Sequence, residues 1–265
     1  MVKRFISYLR VDLYRCFVNW RFWAAVLVIF AVLLGSLRER IANVGGKDVY
    51  GNFLNTVGLA PALLIFSGSM IAFTGSLCED REHKYIQNMI LRGSIKSYLA
   101  ARLVVLFIAA QMSVTIGGSL FALLLRCFYP WAAPGTTNDY EIALHSSIFS
   151  GLVENEHHFL FFVLWNLIQG IFAGILAVIS AWISLYIPSR VMILAAPVVL
   201  YYFLDVLVGT LFPGGQIMLF FSIDYGWTTD RTKALLAITG ITLGSVVLFG
   251  CLIYKKLTGE SGIYE

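Results

Sequence analysis

Six runs of about 20 apolar residues limit what this 265-residue chain can fold into, because each is long enough to cross the hydrocarbon core of a bilayer as a helix. They occupy residues 20–37, 56–77, 99–125, 159–187, 191–212 and 235–254. In lipid such a run satisfies its backbone hydrogen bonds only by becoming helical. Composition agrees: 59% of residues are hydrophobic and 13% charged, where a soluble domain carries about 25% charged residues. A soluble protein of this make-up would expose apolar patches large enough to aggregate. The expected fold is therefore all-α, a polytopic membrane protein with six transmembrane helices in a single transmembrane domain spanning residues 1–265.

Orientation follows from where the Lys and Arg residues fall. Lys3, Arg4, Arg10, Arg15, Arg21, Arg81, Lys84, Arg92, Lys96, Arg102, Arg190, Lys255 and Lys256 lie on one side, 13 in all, against 6 on the other: Arg38, Arg40, Lys47, Arg126, Arg231 and Lys233. The excess predicts a cytoplasmic-membrane protein with both termini in the cytoplasm, which an even number of spans requires. Pro188-Ser189-Arg190 predicts a tight turn between the fourth and fifth spans. Arg21, inside the first span, is expected to snorkel to the headgroups. No cleavage site follows residues 22–37, so the first span is expected to remain in the mature protein.

Ahead of that span, residues 1–19 place Val2, Phe5, Ile6, Leu9, Leu13, Cys16 and Phe17 at helical spacing. Lys3, Arg4, Ser7, Arg10 and Arg15 fall mostly between them, and Val11 breaks the pattern. This predicts an amphipathic helix on the inner membrane face. Outside, residues 126–158 form a loop too short for an independent domain. Residues 216–221 are apolar again after Pro213-Gly214-Gly215, which predicts a re-entrant segment between the fifth and sixth spans. Cys16, Cys78, Cys127 and Cys251 lack metal or disulfide spacing and read as small apolar fillers.

The chain lacks an engine. Its nearest approach to a P-loop, Gly45-Gly46-Lys47, has Ile41 where a glycine belongs and Asp48 where Ser or Thr belongs. Glu154, Glu156, His157 and His158 cluster without HExxH spacing, so no metal is expected. Ser67-Gly68-Ser69 and Gly117-Gly118-Ser119 have no His at membrane depth to serve as base. These glycines, with Gly170-x-x-x-Gly174 and Gly240-x-x-x-Gly244, read as close-packing faces. Asp205 is an acid within a span, and with Gln111, Asn166 and Gln169 it makes a candidate substrate path. No cofactor is expected on this chain, and no nucleic-acid partner.

The informative segment is the second cytoplasmic loop. Glu79, Asp80, Arg81 and Glu82 open it, where acids suit a helix start. Tyr85, Met89 and Ile90 follow on one face with Ile86 adjoining. Leu91, Arg92, Gly93 and Ser94 end the helix, and a second short helix is expected to enter the membrane at Arg102. A charged helix with an apolar ridge fits a groove on a soluble partner. In this layout the chain resembles the membrane subunits of ABC-2-type exporters, through Glu79, Glu82, Tyr85, Leu91, Arg92, Ser94, Tyr98 and Arg102. It departs from them at His83-Lys84, where many members carry Gly-Thr. The resemblance covers the whole chain in layout and about 25 residues in motif. It implies an elbow helix, a coupling helix that docks on a separate ATPase subunit carrying ATP and Mg, and a second permease subunit, identical or not. The chain is then a permease and not itself an enzyme. An ion-coupled secondary transporter would need paired intramembrane charges. A membrane enzyme would need acids or His at one depth, and a non-catalytic assembly factor is the remaining alternative.

Overall fold

In a computed structural model, residues 2–43, 47–57, 59–82, 95–132, 138–145, 147–187, 190–211, 221 and 230–260 are described. Among them all regular structure is helical: α1 (Val2–Val18), α2 (Trp20–Asn43), α3 (Val49–Thr56), α4 (Leu59–Ser69), α5 (Ser76–Glu82), α6 (Ile95–Phe128), α7 (Asn138–His145), α8 (Ser150–Glu154), α9 (His158–Ser184), α10 (Arg190–Leu211) and α11 (Arg231–Glu260). Five of these, α2, α6, α9, α10 and α11, are long and apolar enough to cross a membrane. The chain is a multi-pass helical membrane protein.

The run at 56–77, expected as one helix, is divided. Pro61 stands in the first turn of α4. Its ring would clash with the carbonyl of Val57 if a helix ran through both, so α3 ends at Thr56 and α4 starts afresh. Beyond Ser69 the spacing tightens. Met70, Ile71 and Ala72 donate their N–H groups three residues back, to Ser67, Gly68 and Ser69, before α5 begins. The Ser69 hydroxyl also donates to the Phe66 carbonyl at 2.7 Å, a side-chain competition that disturbs helix geometry. The other long helices extend past their apolar runs. α6 has 34 residues and starts at Ile95, so the separate short helix expected before Arg102 is its first two turns. Pro197 sits within α10, tolerated where neighbouring helices re-satisfy the freed backbone.

α6 and α9 form the centre, with α2, α4 and α11 around them. Ends of the bundle are identified by contacts. At one end α1 packs along the start of α6, Lys96 lies over Tyr254 near the end of α11, and Lys256 lies over Tyr186 just past α9. At the other, Val49 donates its N–H to the Pro130 carbonyl at 3.0 Å, and Arg231 covers Phe149.

That second end is closed by aromatic rings. Tyr50 is fully buried, with the rings of Tyr140, Phe161 and Phe162 within 5.5 Å of its own. Its hydroxyl shares a 3.0 Å hydrogen bond with His158 Nδ1. Tyr50→Phe keeps the packing and leaves His158 short of one partner, so a loss of about 1 kcal/mol is expected in equilibrium unfolding in detergent. Tyr50→Ala also opens a cavity and is expected to lose about 3–5 kcal/mol.

Candidate functional site: a buried charge clasp at the base of the second loop

The helix at residues 2–18 exists, but its partner differs from the expectation. Cys16 is buried, and Leu9, Leu13 and Phe17 pack into the protein core, so much of the apolar side of α1 faces α6 rather than lipid. Within that side stands Asp12, also buried. The opposite side shows Ile6, Val11, Tyr14 and Val18 among Lys3, Arg4 and Arg10.

Opposite Asp12 is Arg102, on the second turn of α6 and 0% exposed. Its Nη1 donates to Asp12 Oδ1 at 2.8 Å. Its Nη2 donates to Asp80 Oδ2 at 2.5 Å and to the Ser76 carbonyl at 3.2 Å. Tyr98, one turn earlier on the same face of α6, donates its hydroxyl to the same Asp80 oxygen at 2.6 Å. The Phe73 ring lies 4.5 Å from the guanidinium carbon. One planar fork thus holds α1, α5 and α6 together, a task that suits Arg and not Lys.

Arg15, half-exposed at the rim, adds a second cation 3.7 Å from Asp12 and 4.0 Å from Asp80, so two cations face two carboxylates. Beside them Arg21 pairs with Glu79 at 2.6 Å. Arg21, expected to snorkel to the headgroups, ties the start of α2 to the loop's first acid. Burial pushes the Asp12 carboxyl above the usual carboxylate range, against the pull of Arg102 and Arg15. Burial also pushes the Cys16 thiol up to about 12, which leaves it unreactive. Cys16 is therefore a filler as expected, whereas Cys127 and Cys251 are exposed.

Of the expected loop residues, Glu79 and Asp80 belong to this clasp. The side chains of Arg81 and Glu82, and residues Tyr85, Met89, Leu91, Arg92 and Ser94, lie outside the described residues, as does the 216–221 segment apart from Phe221. The candidate path residues separate. Asn166 and Gln169 line a cavity of about 20 Å³ together with Gly118 and Trp165, which is room for one water molecule. Gln169 donates to the Phe221 carbonyl at 3.3 Å while its own oxygen is buried without a partner among the described residues. Gln111 is half-buried and packs its backbone against Gly170, and Asp205 is half-buried on α10. Neither lines that cavity. Asp12 is the clasp residue that sequence reasoning missed, and its signal was an acid on the apolar side of a basic helix. Arg102 and Tyr98 stood among the motif positions, but their pairing with Asp80 and Asp12 did not.

Comparison with known protein families, with characterised proteins and with solved structures finds no match for this chain. The class that the fold defines is the multi-pass helical membrane protein.

Proposed function

We propose that this chain is the membrane subunit of an ABC exporter of the ABC-2 type. It crosses the cytoplasmic membrane six times, counting residues 56–77, with both termini in the cytoplasm, and pairs with a second permease subunit. A separate ATPase binds ATP and Mg and pushes on residues 79–94, and the spans then exchange inward- and outward-facing arrangements. The observation that carries this reading is the clasp. Force applied to a cytoplasmic loop moves spans only if the base of the loop is fixed to them. Here Asp80 is joined to α6 through Arg102 and Tyr98, and to α1 through the shared guanidinium. The tightened turns at 70–75 lie immediately before this anchor, where such geometry often marks a hinge.

The test is to express the chain with its chromosomal neighbours, purify it in detergent and reconstitute the product in vesicles. A P-loop ATPase is expected to copurify, and Glu79→Lys combined with Arg92→Glu is expected to abolish both copurification and ATP-dependent transport. Absence of an ATPase, together with undiminished function of the double variant, overturns the reading.

A further inference from the structure

A groove of about 450 Å³ runs between the first turns of α6 and the last turns of α11. Leu99, Ala100 and Leu103 form one wall, and Val247, Gly250 and Cys251 the other. The recess exists because small residues stand where bulky ones would fill it. Ala100 and Cys251 are exposed, and Gly250 leaves Leu103 as the surface behind it. Lys96 marks the mouth, its ammonium 5.5 Å from the centre of the Tyr254 ring. From Lys96 to Leu103 the groove runs about 10 Å along the helix, from a charged residue into the apolar run that begins at Leu99.

Lys96 meets the Tyr254 ring at the mouth, but no described carboxylate pairs with the charges there. Lys96 and Lys255 are exposed, and Lys255 stands one turn beyond Cys251, which lines the groove. Neither forms an ion pair with a described residue. The acids of this end whose side chains are described, Asp12, Asp80 and Glu79, are engaged by Arg102, Arg15 and Arg21. An apolar slot beside two ammonium groups that no described carboxylate opposes matches a molecule with an anionic head and an apolar tail.

We propose that this groove binds one anionic phospholipid of the leaflet facing the chain termini, its acyl chain along Ala100 and Gly250 and its phosphate on Lys96 and Lys255. The site is independent of any transport role. It gives α11, which is the least buried of the long helices, a lipid seam against α6.

Native mass spectrometry of the full-length protein, titrated with phosphatidylglycerol or phosphatidylcholine in detergent, tests the proposal. One phosphatidylglycerol is expected to be retained in preference to phosphatidylcholine, and inorganic phosphate is not expected to displace it. Lys96→Gln with Lys255→Gln is expected to weaken retention about 30-fold, from about fivefold per lysine near an anionic lipid surface. Ala100→Phe fills the slot, keeps both charges and, being a change at an exposed position, is expected to abolish the same adduct without altering the melting temperature. Equal retention of the two lipids overturns the proposal. So does displacement by phosphate, or survival of the adduct in Ala100→Phe.

Discussion

Replacing Arg102 with Leu is expected to destabilise the protein by about 3–5 kcal/mol, the range for removing one partner of a buried ion pair. The variant strands Asp12 and Asp80, both buried, with half-exposed Arg15 the one described cation left nearby, at 3.7 and 4.0 Å. Asp12→Asn is expected to cost no more than about 1 kcal/mol, because the amide oxygen can still accept from Nη1 and Arg102 keeps Asp80. The pH dependence separates this account from a simple loss of packing. Burial holds the Asp12 carboxyl above its ordinary range. A group raised in this way favours the fold when protonated, so its stabilising contribution is complete below the unfolded value of about 4 and is lost as pH rises through the folded value. Removing Arg102 takes away a pull in the opposite direction and raises the folded value further. The Arg102→Leu deficit is therefore expected to be larger at pH 8 than at pH 5 in detergent unfolding curves. A deficit that does not change with pH would mean that the carboxylates are not stranded. Arg102→Lys keeps the charge without the fork and is expected to fall between Leu and wild type.

The long helices were legible because hydrocarbon imposes one demand, a continuous apolar run, and α2, α6, α9, α10 and α11 all meet it. Their ends were less so: the run in α6 is apolar from Leu99, yet the helix begins at Ile95, since nothing in apolarity marks where backbone hydrogen bonding starts. The division at Thr56 is written in Pro61, four residues after Val57, and is overlooked when a run is judged by hydropathy alone. The clasp was half legible. Asp80 stood among the acids opening the loop and Arg102 among the motif positions, but nothing in the sequence says that Arg102 is buried or that the two pair. Asp12 becomes meaningful only once α1 is seen packed on α6, because pairing across 90 residues of sequence separation leaves no local pattern.

The small-residue pairs show the same limit and supply the second large effect. Gly170-x-x-x-Gly174 and Gly240-x-x-x-Gly244 are alike as sequence, yet a side chain added to them meets different surroundings. A Cβ on Gly170 would stand 2.6 Å from the backbone carbonyl oxygen of Gln111, and one on Gly174 would stand 2.6 Å from the Phe107 ring. At Gly240 and Gly244 nothing among the described residues lies within 4 Å. Helices in lipid associate through close van der Waals contact, without the hydrophobic drive available in water, so separating α6 from α9 weakens the centre of the bundle. Gly170→Ala is expected to cost about 1–3 kcal/mol, since the backbone it strikes cannot rotate away, and Gly170→Leu considerably more. Gly174→Ala is expected to cost less than Gly170→Ala, because the half-buried Phe107 ring can swing aside. Gly240→Ala and Gly244→Ala are expected to leave the detergent melting temperature unchanged or slightly raised, as Ala is the better helix former. If Gly170→Ala and Gly240→Ala melt alike, the α6–α9 contact is not the tight seam that the Gln111 carbonyl implies.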